Sequence, residues 1–385
     1  MRIFVIGGTA RSLVNFRGPL IRELLELGHE VFACAGEPEG DAVRELGRWG
    51  VEFIPTPIVR AGMNPWKDLR SFASLYQAMR RIRPDIALTY TIKPIVWGGL
   101  AARWARVRAC YSMVTGLGYA FGENNGLKAR FARLAAKTLY GLSLKGSRQV
   151  FFQNPDDLNE FCRLRLVSRK QCVLINGSGV DVRYFAWAPL PRKMNFLMIC
   201  RLLRDKGLHE YVQAAKIVRA LYPEAHFALA GPRDSNPAGI STAELDEWQR
   251  EGVITYLGEL HDVRPALAAC SVYVLPSYRE GTPRTVLEAM SMGRPIITTN
   301  APGCRETVLL PPGQRLDKDS EDIIWGENGF LVPVRNVEKL AEAMLRFCDN
   351  PALIPRMGRR SREIAEEKYD VRKVNAVIMQ VMGLG

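Results

Sequence analysis

Glu280 and Glu288 stand eight positions apart in the segment EGTPRTVLE, directly after the apolar run VYVLPS. An ionised carboxylate only accepts hydrogen bonds, so two of them facing one ligand are suited to gripping hydroxyl groups. Between them, Gly281 precedes Thr282 and Pro283, and the Thr-Pro order has the N-cap and first-turn pattern that starts a helix. The amides and dipole of a helix start favour an anion such as phosphate. Glu280 would stand beside that anion. Glu288, about two turns into the helix, would meet a diol further along the same ligand. The spacing alone favours a solvated loop glutamate and an ordinary helical one. A second segment shifts the balance. In ICRLLRDKG a strand ends at Cys200, and Arg201 and Lys206 follow before the next helix. Two fixed cations there would neutralise a diphosphate, Arg201 through its planar fork and Lys206 as a point charge. Together the four charges describe a site for a nucleoside-diphosphate sugar.

Such a site needs strand ends and helix starts to hold it. RIFVIG, EVFACA, VEFIPT and DIALTY read as strands, with helices near PLIRELLELG, DAVRELGRWG and LRSFASLYQAMRRI between them. NFLMIC, HFALAG, ITYLG, VYVLPS and PIITTN restart the same grammar in the second half. The alternation predicts an α/β chain of two Rossmann-like domains facing across a cleft, where doubly wound sheets bind their ligands. The proline-rich VDVRYFAWAPLPRK marks the join, giving domains of residues 1–183 and 184–367. The apolar-periodic stretch 368–385 is expected to pack back on the first domain, and residues 308–326 read as a polar insertion.

The 385 residues carry a net charge of +13, unevenly spread. Residues 1–180 hold 26 Lys and Arg against 14 Asp and Glu, whereas residues 181–385 hold 27 against 26. A basic first half fits an anionic partner. No aromatic-interleaved basic motif points to nucleic acid. No run approaches the ~20 apolar residues that span a bilayer, and MRIFVIGGTARS turns polar too soon for a signal peptide. Eight cysteines without C-x-x-C pairs fit reduced thiols in a cytosolic enzyme better than a disulfide or zinc framework.

RLLRDKG, YLGEL, EGTPRTVLEAMSMGRPIITT and ENGFLVP, in that order, resemble the family 4 retaining glycosyltransferases of the GT-B fold. The Gly7-Gly8 loop, NFRGPLI and INGSGVDVRYF extend the likeness along nearly the whole chain. Within the family, VRAGMNPW, TGLGYAF, PSYREG and APGCRE are similar to phrases in bacterial transferases that add an N-acetylhexosamine, N-acetylgalactosamine among them, to an undecaprenyl-diphosphate-linked sugar. The resemblance implies a UDP-sugar donor, no cofactor and front-face displacement with retention. It implies that Arg201 and Lys206 hold the donor diphosphate, with Gly281 and Thr282 beside it. Glu280 would bind the sugar near C3 and C4, Glu288 the ribose, and the turn Leu257-Gly258-Glu259 the nucleobase. Gly7, Gly8 and Arg17 would approach the acceptor, with Thr115 and Gly116 at the reaction centre. Many relatives carry a histidine near that last position, but SMVTGLGYAF has none, and His29, His209, His226 and His261 lie in no motif that supplies one.

Asp317–Asp319 match the D-x-D that holds a divalent cation in the other main glycosyltransferase fold, but a polar insertion is not the rigid strand end that motif needs, so no metal is expected. Leu127, Phe131, Leu134, Leu139 and Leu142 recur at roughly helical spacing among Lys128, Arg130, Arg133 and Lys137. A basic amphipathic helix of this kind can lie on an anionic leaflet and reach a lipid-linked acceptor, which implies a cytoplasmic enzyme peripheral on the inner membrane. The same pattern also describes a core-packed helix with a solvated basic face. Two rivals share the architecture: a nucleotide-sugar 2-epimerase and a non-catalytic sugar-nucleotide-binding subunit.

Overall fold

A computed structural model of the chain describes residues 1–36, 38–58, 64–116, 127–234, 236 and 238–384, without the side chains of 127–133. It divides into two compact units, Met1–Ser178 with Val374–Gly385, and Gly179–Lys373.

The first unit runs β1 (Arg2–Ile6), α1 (Ala10–Ser12), α2 (Gly18–Glu26), β2 (Glu30–Ala35), α3 (Gly40–Arg48), β3 (Glu52–Pro55), α4 (Pro65–Ile82), β4 (Ile86–Tyr90), α5 (Gly99–Trp104), β5 (Ala109–Val114), α6 (Leu127–Lys145), β6 (Gln149–Phe152), α7 (Pro155–Arg163) and β7 (Cys172–Leu174). Its seven strands order as β3-β2-β1-β4-β5-β6-β7, every neighbouring pair parallel. Strands covered on both faces need apolar residues at every position rather than at alternate ones. β1 obeys this, with Ile3, Phe4, Val5 and Ile6 all fully buried. Leu20, Ile21 and Leu24 of α2 and Leu46 of α3 cover one face of the sheet. Leu75, Met79 and Ile82 of α4, with Ala101 and Ala102 of α5, pack in a separate cluster with Phe4 and Ile6.

The second unit runs β8 (Asn195–Ile199), α8 (Leu208–Leu221), β9 (His226–Ala230), α9 (Thr242–Arg250), β10 (Thr255–Tyr256), α10 (Arg264–Ala268), β11 (Val272–Leu275), α11 (Arg284–Ser291), β12 (Ile296–Thr299), β13 (Ile324–Trp325), β14 (Gly329–Val332), α12 (Val337–Asp349) and α13 (Leu353–Ile364). The order β10-β9-β8-β11-β12-β14-β13 is parallel except at the β13 edge. That edge comes from the insertion expected to be merely polar. Ile324 and Trp325 pair with Leu331 and Phe330, and Asn300 Nδ2 donates to the Asp317 carbonyl at 2.8 Å. The last helix, α14 (Val371–Met382), leaves the second unit, and its Val374, Ile378, Met379 and Met382 join the α2 side of the first unit's core. No helix among the described residues is long and apolar enough to cross a membrane.

Candidate active site

In the second sheet the chain order reverses between β8 and β11, and ligands of such sheets bind outside the carboxyl ends of the strands at that point. Both charged segments identified in the sequence leave the sheet there. After β8 come Cys200 and Arg201, a tight turn Arg204–Lys206, and Gly207, which starts α8. Gly207 has φ +76°, and a Cβ on it would lie 2.2 Å from the Pro276 carbonyl oxygen. The glycine therefore lets the Lys206 turn close onto the loop after β11. Tyr278 N–H donates to the Asp205 carbonyl at 2.9 Å across the same seam. On its other side that loop meets the one after β12: Glu280 N–H donates to the Pro302 carbonyl at 3.0 Å, and Gly303 lies where a Cβ would strike the Glu280 carbonyl.

This clamp brings Lys206 Nζ to 2.6 Å from Glu280 Oε1, with both side chains mostly buried. Burial by itself would lower the Lys206 pKa, but the charge and hydrogen bond of Glu280, with Asp205 and Cys200, outweigh it and raise it. The ammonium is therefore held charged. The neighbouring Cys200 thiol is pushed up to about 12, mainly by burial, and feels the charges of Lys206, Glu280, Asp205 and Arg201 together. Lys206, Glu280 and Arg201 thus converge on one strand end.

Arg201 Nη1 lies 2.9 Å from Asp234 Oδ2. The loop after β9 carries Asp234 to it: Leu202 N–H donates to the Pro232 carbonyl at 3.1 Å, and Gly231, at φ +136°, passes against the Cys200 carbonyl. Asp234 gives no signal in the sequence, because it sits in an irregular loop without a motif spacing. Glu288, 7% exposed, accepts from Arg284 Nε at 2.9 Å, one turn earlier on α11. Burial raises the Glu288 pKa while the Arg284 charge opposes the rise. That partner was legible as an i,i+4 pair.

The helix between the glutamates starts one residue later than expected. Pro283, not Thr282, is the N-cap, and no side chain caps it. Proline lacks an N–H but keeps its carbonyl, which accepts from Val286 and Leu287 N–H at 3.1 and 3.3 Å. A polar knot fixes this helix start to β8: Tyr273 Oη lies 2.7 Å from Thr285 Oγ1, and both hydroxyls donate to the Ile199 carbonyl, at 3.1 and 3.2 Å. Gly258 has φ +75° with nothing near its would-be Cβ, and its carbonyl accepts from Gly231 N–H. His209 lies 2.7 Å from Arg204 Nη1, and its ring meets the edge of Trp248.

In the first unit the reversal falls between β1 and β4. Gly7 follows β1, and a Cβ there would lie 2.2 Å from the Tyr90 hydroxyl, so only glycine fits. Gly8 is beside Thr91, with 3.3 Å from its would-be Cβ to the hydroxyl oxygen. Arg17 is 2% exposed and stands over the Tyr90 ring at 4.9 Å. Thr115 and Gly116 follow β5, Gly116 at φ +142°. Residues 59–63 of VRAGMNPW and 117–121 of TGLGYAF lie outside the described residues, as do the side chains of Leu127, Lys128, Arg130, Phe131 and Arg133. Further along α6, Leu134 is 63% and Leu142 46% exposed.

Residues 193–350 match the family described as Glycosyl transferases group 1, and residues 15–177 match the Glycosyl transferase 4-like domain. The Campylobacter jejuni N,N'-diacetylbacillosaminyl-diphospho-undecaprenol alpha-1,3-N-acetylgalactosaminyltransferase is 32% identical over 80% of this chain and 83% of its own. The Escherichia coli UDP-Gal:alpha-D-GlcNAc-diphosphoundecaprenol alpha-1,3-galactosyltransferase is 27% identical over 78% of this chain and 75% of its own. Among solved structures, sucrose-phosphate synthase from Thermosynechococcus elongatus has a TM-score of 0.77 at 16% identity, covering 100% of this chain and 98% of that one. Anabaena HepE, solved with UDP and glucose, has a TM-score of 0.75 at 16% identity, covering 100% and 99%. The matches run through both halves in order, and the chain belongs to the group 1, family 4, glycosyltransferases of the GT-B fold.

Proposed function

We propose that this enzyme moves one N-acetylhexosamine or hexose, N-acetylgalactosamine before the others, from a UDP-sugar to an undecaprenyl-diphosphate-linked sugar, with retention and without a metal ion. The observation that carries the donor half is the convergence of Lys206, Glu280 and Arg201 on the end of β8. The acceptor half rests on the two curated relatives, whose names both specify a diphospho-undecaprenol-linked sugar.

As the glycosidic bond breaks, negative charge grows on the leaving diphosphate. Lys206 is held charged close to Glu280 and stabilises that charge, and Arg201 does the same after exchanging Asp234 for a phosphate oxygen. Preorganised donors of this kind are worth ~10²–10³ in rate each. Glu280 orients Lys206 with one oxygen and accepts from sugar hydroxyls near C3 and C4 with the other. Glu288 accepts from the ribose diol, the Gly258 turn frames the nucleobase, and Gly281 and Thr282 line the phosphate. The acceptor approaches the Gly7-Gly8 loop, which packs on Tyr90 and Thr91, with Arg17, Thr115 and Gly116 alongside. Its hydroxyl attacks the anomeric carbon from the face the donor leaves, and its proton passes to the departing phosphate. A glycosidase-style double displacement would need a free acid and nucleophile ~5–5.5 Å apart, whereas Glu280 is paired with Lys206 in the loop before α11 and Glu288 with Arg284 inside it.

UDP release that depends on the lipid-linked acceptor, with the donor's anomeric configuration kept in the product, supports this reading. An epimerised UDP-sugar formed without acceptor overturns it. Loss of activity on chelation, restored by Mn²⁺, overturns the metal-free part.

A further inference from the structure

Trp66 and Trp104 are 76% and 68% exposed, the two most exposed large hydrophobic side chains among the described residues. Both belong to the α4–α5 layer on one face of the first sheet. Along α4 the buried positions are Asp68, Ser71, Leu75, Ala78, Met79 and Ile82. At about 100° per residue, Trp66, Leu69 and Ala73 fall on the opposite side, and Leu69 is 53% exposed. Trp104, the last residue of α5, sets its ring edge-on to Phe72 at 5.6 Å, and Phe72 stacks on Tyr76 at 6.4 Å. The Trp104–Phe72 contact joins the two helices, and Trp66 and Leu69 lie on the outward side of the same α4.

The segment that carries these side chains is positively charged. Residues 64–110 hold nine Lys and Arg against two Asp, a net +7 of the chain's +13. Neither aspartate tempers the surface: Asp68 is buried against Lys93 at 2.9 Å, and Asp85 accepts from the Arg2 backbone. Lys67, Arg70, Arg103 and Arg106 are exposed and, among the described residues, make no ion pair. Exposed indoles on helices that also carry exposed cations match the layered chemistry of an anionic membrane surface, where tryptophan settles at headgroup depth and cations meet lipid phosphates.

The geometry points to Trp66, Leu69 and Trp104, with Lys67, Arg70 and Arg103 of the same two helices, as the surface that docks this chain on an anionic bilayer. α4 starts at the carboxyl edge of the sheet, since a crossover helix runs back against its strands, so Trp66 lies toward the edge that carries Gly7, Gly8 and Thr115. A lipid-borne substrate would be met there. The use of the surface rests on the proposed lipid-linked acceptor, whereas the binding itself does not.

The full chain is floated with vesicles of phosphatidylglycerol and phosphatidylethanolamine, and with vesicles of phosphatidylcholine alone. Wild type binds the anionic vesicles, less as salt rises, and Trp66→Ser/Leu69→Ser/Trp104→Ser weakens this roughly tenfold. Arg70→Gln/Arg103→Gln weakens it too and flattens the salt dependence, while Leu134→Ser/Leu142→Ser on α6 leaves it unchanged. Transfer to a short-chain, water-soluble acceptor stays at the wild-type rate in the triple variant, which shows it folded. Equal binding of wild type to both vesicle types, or a triple variant that binds like wild type, overturns the proposal. So does a wild-type dimer that the triple substitution splits without changing vesicle binding, because the surface is then a protein interface. If wild type transfers nothing to the soluble acceptor, the proposed function fails while the vesicle result still decides the surface.

Discussion

At Lys206 the proposed chemistry is entangled with stability. Removing one member of a mostly buried pair strands the other, commonly at a cost of about 3–5 kcal/mol. Lys206→Ala should therefore lower both Tm and turnover, the latter by ~10²–10³. Lys206→Ala/Glu280→Gln should recover much of the Tm and none of the turnover. Recovery of both would make the pair merely structural. Asp234→Asn removes the carboxylate that occupies Arg201, so UDP should bind it several-fold more tightly, read by calorimetry; weaker binding would mean that Asp234 organises the site instead of competing for it. The raised pKa of Glu288 sets a pH test. A carboxyl group with an elevated folded-state pKa takes up its proton early as pH falls, so a ribose contact needing the carboxylate should weaken at a pH above the ordinary carboxyl range. Glu288→Gln should abolish that pH dependence. Its Tm at pH 7 should hold, because a raised pKa means that the ionised form gains nothing from its burial. At this scale the charged residues were legible, since Arg201, Lys206 and Glu280 follow strand ends. Asp234, which arrives from an irregular loop, was not.

Two glycines separate strain from collision at the level of the elements. Gly207 and Gly258 share nearly the same φ, but a Cβ on Gly207 would strike the Pro276 carbonyl and one on Gly258 would meet nothing within 4 Å. Gly258→Ala should cost only the left-handed backbone penalty, about 1–2 kcal/mol. Gly207→Ala should cost more than that and displace Lys206, so its Tm and turnover should fall together. Similar Tm values for the two variants would contradict the close seam between these loops. Strands β1–β4 and β8–β12 could be read from apolar runs, because parallel strands buried on both faces leave an unbroken signature, whereas β5, β6, β7 and β14 were not singled out. Element ends were less legible. Pro283 captured the cap position from Thr282, and two residues, Ile324 and Trp325, turned the end of a polar insertion into a sheet edge, a run too short to show periodicity.

Across the whole molecule, the chain leaves the first unit at Ser178, builds the second, and returns at Val374. Four buried side chains of the returning helix, Val374, Ile378, Met379 and Met382, lie in the first unit's core. Each is worth about 1.5–3 kcal/mol of burial, together comparable with a domain's entire stability of about 5–15 kcal/mol. Deleting residues 374–385 should make the first unit protease-sensitive and leave Gly179–Lys373 resistant in limited proteolysis; equal resistance of both would contradict the shared core. An alternation of strands and helices is enough to imply two such sheets. It says nothing of which sugar or lipid they serve, because that choice rests on side-chain contacts that no period encodes. The most direct test offers the full chain an undecaprenyl-diphosphate-linked sugar with UDP-N-acetylgalactosamine, UDP-N-acetylglucosamine, UDP-galactose and UDP-glucose in turn, and weighs the lipid product. A product longer by one N-acetylgalactosamine is expected, lost in Arg201→Ala and Lys206→Ala. Lipid left unextended by all four donors would contradict it.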